Sequence, residues 1–378
     1  MKTFTSPQLG HRVKHAREAL NLSQERLKEL LGFKDRQTVS DIENGKRAVK
    51  ADELVLLTEA LNKDVQFFLD PFSVVAEAKY CWRASPDLPG EELNRFEEVA
   101  GGWVGLLRWL RAEHKVAARP LKPVLRLSAD SSFEGAQAHA EQFVKNYALG
   151  LVPAEKLVDF IEQELDIPVL FVDIDVRPDT GAISGAACAV GKLGDPGELG
   201  VILINRREPI SRRYFDLAHE LFHCLTWEAM APGHRESNSV EHRKGARRIE
   251  QFADNFAAAL LMPEASLNEL IDPTKGTDVR HLVEVASKLC VSTEALSWRL
   301  FQLKRINAET QSALAKARGS KDSVAAPKPF SKAFVGMLHT ALDKGWLSAR
   351  KAAKSMGMTL GELTELFVAH GMPPPFDL

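Results

Sequence analysis

The stretch F-D-L-A-H-E-L-F-H-C-L-T-W, residues 215–227, constrains the fold more than any other part of the chain. It reads as one helix in which His219, Glu220 and His223 are surrounded by apolar residues, so all three polar side chains are expected to be at least half buried. Residues four apart lie on one face of a helix, so both imidazoles can point at the same place. Buried polar groups need partners, and a metal ion is the partner that this H-E-x-x-H spacing favours.

A catalytic zinc site needs three protein ligands and one open position, so a third ligand is expected elsewhere. Glu250 is the best candidate, because it follows His223 by 27 residues on the next predicted helix, and the intervening loop allows an antiparallel return. Asp254, one turn further on, is placed to hold a ligand histidine in one tautomer. Glu220 lies about 100° around the helix from His219, so it can reach a water molecule beside the ion without being a ligand.

Two histidines in the intervening loop leave the ligand set open. His234 and His242 are each an alternative ligand or a transition-state donor, although solvated loop side chains are the simpler interpretation. Two histidines and one carboxylate suit Zn²⁺, and Mn²⁺ would also fit. The opposing interpretation of the motif is a surface helix with two unrelated histidines, which its apolar flanks argue against.

The amino-acid composition is that of an ordinary globular protein, and by itself it excludes few classes of function. The chain has 378 residues, enough for two or three domains, and a formal net charge of −2, so any DNA contact must come from a local patch. The four cysteines form no C-x-x-C pair, which favours reduced thiols in the cytoplasm over a disulfide framework. We find neither a secretory signal nor an apolar run long enough for a membrane span, and we expect no membrane partner.

Changes in sequence texture predict an α+β multidomain fold. An all-α five-helix domain comes first, and a mostly helical domain with a small β-sheet follows a connector. The predicted divisions are an N-terminal domain (1–72), a helical connector (73–120), the domain with the H-E-x-x-H motif (121–317), a linker (318–332) and a small helical C-terminal domain (333–378).

Local patterns predict individual strands, loops and helices along the chain. I-P-V-L-F-V-D-I and L-G-V-I-L-I-N-R read as strands, with Gly- and Pro-containing material between them, including G-A-I-S-G-A-A-C-A-V. Y-C-W-R-A-S-P-D-L-P-G-E-E reads as a loop, and the helix after it is expected to be interrupted at Gly101-Gly102. The connector is expected either to carry a packing or dimer surface or to pack on its neighbouring domain. The C-terminal piece is expected either to cap the motif domain or to bind a partner.

The N-terminal domain contains the pattern of a DNA-reading helix pair. S-Q-E opens the second helix, S-D-I-E-N-G-K-R follows, and an apolar helix comes next; in these features residues 8–70 resemble the Xre/Cro-type helix–turn–helix. In such a domain one helix enters the major groove with its N-terminal side chains at base edges. The side chains expected at or near a double-stranded operator are Gln24, Arg36, Gln37, Thr38, Ser40, Asp41, Lys46 and Arg47.

These side chains have distinct expected roles. Gln37 suits adenine and Arg36 suits guanine or phosphate, while Gln24, Lys46 and Arg47 are expected on the phosphate backbone. One half-site gives little affinity, so a homodimer is expected. The alternative is a helical bundle that does not bind DNA, because the charge of this segment is nearly balanced.

The motif domain also resembles a known family. A-H-E-L-F-H, followed by E-Q-F-A-D-N-F-A-A-A-L-L-M-P, is similar to the ImmA/IrrE family of metallopeptidases, and the resemblance covers about residues 125–300. It implies that His219, His223 and Glu250 hold zinc and that Glu220 is the general base. Phe222 departs from the family, in which glycine is common at this position; it is expected to point away from the ion.

The resemblances imply a regulator with a zinc endopeptidase that cleaves a repressor or antitoxin-like protein. Some family members are linked to DNA-damage responses, mobile elements or phage defence. Two alternatives remain, a transcription factor that uses the peptidase fold as a sensor or docking domain, and an antitoxin that acts by contact. Intact Glu220 argues against a site used only for binding, because binding alone needs no base.

Overall fold

A computed structural model describes residues 6–75, 77–116, 125–174, 182–191, 198–235, 244–317 and 325–377. His242 and the first part of the expected linker lie outside these residues. No helix in the described ranges combines the length and the apolar character that crossing a membrane requires.

Five helices form the N-terminal domain, as expected. Ser23 and Asp35 begin the second and third of them, because each side chain accepts a hydrogen bond from a backbone N–H of the first turn. The third helix ends before Gly45, whose φ of 67° lies in the left-handed region. The helices are α1 (Ser6–Ala19), α2 (Gln24–Leu31), α3 (Arg36–Glu43), α4 (Ala51–Leu61) and α5 (Val65–Leu69), and they share one apolar core.

A four-stranded sheet lies at the centre of the second part of the chain. Its strands are β1 (Ala78–Ala84), β2 (Val169–Val172), β3 (Ile183–Gly191) and β4 (Glu198–Asn205), in the order β1-β3-β4-β2. β3 is antiparallel to both β1 and β4, and β2 is parallel to β4. The two expected strands, β2 and β4, are confirmed. The expected loop at Y-C-W-R-A is wrong: it is edge strand β1, and it is paired with G-A-I-S-G-A-A-C-A-V, which forms β3, one of the two inner strands.

One face of the sheet packs against the helices that carry the H-E-x-x-H motif. Cys81, Ala187 and Ile202 extend from this face into a shared apolar cluster with Leu217 and Leu221 of α9. The helices on this side are α7 (Phe133–Asn146), α8 (Ala154–Gln163), α9 (Ile210–Thr226), α10 (Lys244–Leu261), α11 (Glu264–Leu270), α12 (Val279–Lys288), α13 (Thr293–Gln302) and α14 (Ala308–Lys316). A short 3₁₀ turn, Pro273–Lys275, precedes α12.

The opposite face is covered by the connector helix and the C-terminal helices. Trp82, Cys188 and Leu203 belong to a second apolar cluster together with Leu107 and Phe334. The helices are α6 (Gly90–Glu113), α15 (Lys332–Asp343), α16 (Ala349–Met356) and α17 (Leu360–Ala369). The described C-terminal helices thus cap this face of the sheet. A partner-binding role for them stays a prediction.

Helix α6 is continuous, so the expected interruption at Gly101-Gly102 is wrong. Its glycines allow neighbouring backbone to approach closely. A Cβ at Gly102 would lie 2.2 Å from the carbonyl oxygen of Ser355, and one at Gly105 would lie 1.6 Å from that of Phe72. Local helix propensity alone predicts a break at these glycines. They are explained instead by the tight packing of α6 against α16 and against the end of the N-terminal domain.

Candidate functional sites

Helix α9 positions the two histidines and the glutamate of the motif. His219 is 1% exposed, and Glu220 and His223 are fully buried. The apolar residues on either side, such as Leu217 and Leu221, anchor the helix in the core and draw the polar side chains inward with it. Phe222 packs against Phe256 of α10, with ring centroids 5.6 Å apart, so its bulk contributes to the apolar core.

Helix α10 returns alongside α9 and brings Glu250 to the two histidines. Small residues, Ala253 and Ala257, lie in the buried interface and let the helices approach closely. The Nε2 atoms of His219 and His223 are 3.1 Å apart, and Oε2 of Glu250 lies 3.2 Å from the first and 3.4 Å from the second. Three potential ligand atoms therefore converge on one point between the helices.

The spacing of these atoms fits a zinc ion. Donors about 2.0–2.1 Å from a tetrahedral zinc lie about 3.3–3.4 Å from one another. Asp254 supports the same conclusion, because its Oδ1 lies 2.9 Å from Nδ1 of His219. A carboxylate is acceptor-only when ionised, so Nδ1 carries the proton and Nε2 is left bare, facing the Glu250 oxygen. Two acceptors at this distance call for a cation between them, which makes the donor set suitable for Zn²⁺.

Asp254 is held in its ionised form by its surroundings. Burial raises the pKa of this carboxyl, but the hydrogen bond from His219 and the charge of Arg83 together lower it by more, so the pKa lies below its usual value. The side chain is 51% exposed, so solvent screens these interactions. Arg83 also bonds Asp216 at 2.9 Å, and thereby connects strand β1 to the motif helix, one turn before His219.

Glu220 is enclosed within the fold. Both of its carboxylate oxygens are buried. Burial raises the pKa of the Cys224 thiol well above its ordinary value, and the nearby charge of Glu220 reinforces this. Cys224 is therefore a neutral thiol packed beside the base candidate.

Cys81 is a neighbour of the metal-ligand candidates that sequence reasoning missed. Its sulfur, a ligand nitrogen of His223 and a carboxylate oxygen of Glu250 all lie within 4.8 Å of one another. The signal in the sequence was the alternation of Tyr80, Cys81, Trp82 and Arg83, which we interpreted as a loop. Only the pairing of β1 with β3 places Cys81 above the motif helix.

His234 is engaged away from the converging ligand atoms. Its Nε2 lies 2.7 Å from Oε2 of Glu97, which also accepts a hydrogen bond from the indole of Trp82. The Glu97 hydrogen bond raises the pKa of His234 against an opposing effect of burial. Burial raises the pKa of Glu97, but its bonds to His234 and Trp82 bring it below the usual value. A β-bridge between Trp82 and Arg235 holds the chain around His234 against β1.

In the N-terminal domain, α3 presents an exposed polar surface. Arg36 and Gln37 in its first turn and Lys46 after it are exposed, and Thr38, Ser40 and Asp41 are half-buried. Gln37 donates to Asp41 at 2.9 Å, and the amide of Asn44 donates to the backbone and hydroxyl oxygens of Ser40. This surface is the one for which operator contacts were predicted.

Two of the predicted phosphate contacts have partners within the domain. Gln24 donates to Glu43 at 2.8 Å, and Arg47 makes two bonds to Glu53, at 2.9 and 2.6 Å. Glu43 is 3% exposed and also pairs with Arg17 at 2.6 Å. Glu43 in the S-D-I-E stretch therefore ties α3 to α1 and α2, a structural role that the sequence analysis missed.

Comparison with known families agrees with this two-part organisation. Residues 13–68 match the family model described as helix-turn-helix, and residues 167–301 match the one described as IrrE N-terminal-like domain. No curated protein matches the chain. The chain therefore joins a DNA-binding helix–turn–helix of the Xre type to an ImmA/IrrE-like domain of the metallopeptidase type.

Proposed function

We propose that this protein is a DNA-binding transcriptional regulator whose second domain is a zinc-dependent endopeptidase. The observation that carries the proposal is the convergence of His219 Nε2, His223 Nε2 and Glu250 Oε2 within 3.1–3.4 Å of one another, beside the buried Glu220. A site used only for binding a metal would need the three ligands but not the glutamate. The substrate class we propose is a regulatory protein, either a repressor or an antitoxin.

Each residue of the site has a proposed part in the reaction. His219, His223 and Glu250 would hold the ion. Zn²⁺, when bound, brings the pKa of water toward about 7 and polarises a carbonyl group. Glu220 accepts a proton from the attacking water and passes it to the leaving amine. Asp254 keeps His219 in the tautomer whose Nε2 is free to bind.

The helix–turn–helix domain supports the choice of a regulatory protein as substrate. A peptidase carried on a DNA-binding domain is concentrated near the repressors that bind the same region of DNA. We propose that the protein works in the cytoplasm as a homodimer on a double-stranded operator, in a stress, mobile-element or phage-defence response. Arg36 and Gln37 would contact base edges, and Lys46 would contact phosphate.

Cleavage of proteins encoded by neighbouring genes tests the peptidase. Glu220→Gln should lower the cleavage rate by roughly 10²- to 10⁴-fold and leave the zinc content unchanged, because Glu220 is a base and not a ligand. Glu228→Gln is the matched control, since this exposed residue lies just beyond α9 and should keep full activity. If zinc-loaded wild type and Glu220→Gln are equally inert toward every candidate while operator binding persists, the sensor or antitoxin interpretation replaces the enzyme.

Titration of a labelled promoter fragment tests the DNA-binding part. Arg36→Ala should weaken binding by roughly 10-fold, the effect expected from losing one base or phosphate contact. Lys63→Ala is the control, because Lys63 follows α4 and its ammonium lies over the ring of Phe67. If Arg36→Ala and wild type bind the fragment with equal affinity at every salt concentration, Arg36 does not contact the DNA.

A further inference from the structure

Strand β1 presents alternate side chains to the two faces of the sheet. Tyr80 and Trp82 join the apolar cluster under α6, whereas Cys81 joins the cluster of α9 and α10. Arg83 follows the same alternation and bonds Asp216 of α9. Cys81 therefore faces the helices that carry the metal-ligand candidates.

The sulfur of Cys81 lies near two of the three proposed ligands. It is within 4.8 Å of ligand atoms of both His223 and Glu250, and the residue is fully buried. Sulfur and nitrogen ligands of one tetrahedral zinc, about 2.3 and 2.0–2.1 Å from the ion, lie about 3.6 Å apart. The 4.8 Å limit on the distances of the sulfur exceeds this ligand spacing by about 1.2 Å.

The cross-strand neighbour of Cys81 is a small residue. The cross-strand partner of Cys81 is Ala187, whose side chain is a single methyl group. Rotation of the thiol about χ1 therefore meets little bulk on that side. Among the described residues, Cys81 is the one cysteine that lies in a group of three potential metal ligands. Cys188 and Cys224 are also buried but are not in such a group.

We propose that Cys81 is a fourth protein ligand of the divalent metal in a resting state of this domain, with its thiolate occupying the position that catalysis needs open. The proposal rests on the proposed metal set of His219, His223 and Glu250. The thiol loses its proton to solvent when it binds the ion, and thiolate is a ligand that zinc prefers. Zinc sites closed by four protein ligands are structural, and sites with three are catalytic. Activity would then require water or a substrate carbonyl to displace Cys81.

Cobalt substitution of the full chain tests the proposal independently of peptidase activity. Co²⁺ bound to a thiolate shows sulfur-to-metal charge-transfer absorption in the near ultraviolet. We expect this band in wild type and in Cys188→Ser, and its loss in both Cys81→Ala and Cys81→Ser with one Co²⁺ still bound. Cys188 is the matched control, because it is equally buried and its side chain belongs to the cluster on the other face of the sheet.

Zinc affinity provides a second readout. Cys81→Ala should bind zinc at least roughly 10-fold more weakly, the lower end of the effect of losing support around a metal, and Cys188→Ser should bind as wild type does. Wild type that binds one Co²⁺ without the charge-transfer band, or a band that persists in both Cys81 variants, would overturn the proposal. Either result would leave the three-ligand peptidase intact, whereas failure to bind any metal would overturn both.

Discussion

At the scale of single residues, the direction of one imidazole decides what the site can hold. His219 has Asp254 on one ring nitrogen and the Glu250 oxygen, 3.2 Å away, on the other. Because an ionised Asp254 can only accept a hydrogen bond and cannot donate one, it fixes the proton on Nδ1. The cation-binding character of the His219, His223 and Glu250 cluster thus depends on a residue that is not itself a ligand.

Replacing Asp254 with Asn should weaken zinc binding. The amide can still accept from Nδ1, but it removes the negative charge that supports the ligand, so affinity should fall by roughly 10- to 100-fold. Competition with a chromophoric chelator measures this. Glu269→Gln removes an exposed charge elsewhere and should leave affinity unchanged. Zinc held equally tightly by Asp254→Asn would show that His219 is oriented by other contacts.

Residues within one helix were predictable, and residues that meet only through the tertiary fold were not. The spacing of His219 and His223 puts them on one face by helix geometry alone, and Glu250 lies on the next helix along the chain. Cys81 comes more than a hundred residues before them, and it reaches the site through pairing of β1 with β3. Glu43 was missed for a similar reason, because its partner Arg17 lies on a different helix.

At the scale of elements, close backbone contacts shape helix α6. Glycine inside a helix is unfavourable by roughly 1 kcal/mol relative to alanine, so the sequence alone favoured a break at Gly101-Gly102. The contacts of Gly102 with Ser355 and of Gly105 with Phe72 outweigh that preference. Strand β1 was missed because strand formation depends on cross-strand neighbours more than on intrinsic propensity.

Alanine at Gly105 should destabilise the fold. The added Cβ would lie 1.6 Å from the Phe72 carbonyl oxygen, so α6 and the end of the N-terminal domain must move apart. Overpacking of this kind typically costs about 1–3 kcal/mol of unfolding free energy, measurable by urea denaturation. Gly90→Ala on the same helix is the control, because nothing lies within 4 Å of its added Cβ. Equal stability of the two variants would contradict the close packing described here.

At the scale of the whole molecule, a buried charged cluster joins the helix–turn–helix domain to the sheet. Arg108 bonds Glu77 at 2.7 Å, Arg12 of α1 lies 3.8 Å from the same carboxylate, and both arginines donate to the Ser73 carbonyl. Burial lowers the pKa of Arg12 to about 10, with Glu77 opposing that effect. Glu77 is therefore the central anion of the junction.

Removing the negative charge of Glu77 should destabilise this junction strongly. Glu77→Gln would leave two buried guanidinium groups facing each other, a change that typically costs about 3–5 kcal/mol. Urea or thermal unfolding measures it, and Glu18→Gln is the control, because Glu18 is 55% exposed beside Arg17. A Glu77→Gln protein as stable as wild type would mean that the two arginines are satisfied by backbone carbonyls alone.

The His234–Glu97 pair should give stability a modest pH dependence. The raised pKa of His234 means that its contribution is complete below the unfolded value and is lost as pH rises through the folded value. The lowered pKa of Glu97 means that its contribution is complete above the unfolded value and is lost as pH falls through the folded value. With His234 55% exposed, we expect less than about 1 kcal/mol.

Thermal unfolding at two pH values measures this pH dependence. The stability difference between wild type and His234→Gln should be larger near about pH 5.5 than near about pH 8.5, on either side of the histidine titration. His15→Gln, an exposed histidine of α1, should show a smaller change between the two conditions. If the stability difference between wild type and His234→Gln is the same at both pH values, the ion pair does not contribute to the pH dependence of stability.

Metal analysis of the purified protein shows whether His219, His223 and Glu250 hold one divalent metal for which Glu220 is the base. We predict about one zinc per chain in wild type and in Glu220→Gln, and less than about a tenth of that in Glu250→Ala after dialysis against chelator, as expected when the carboxylate ligand is lost. Wild type that retains no metal, or Glu250→Ala that retains as much as wild type, would contradict the account.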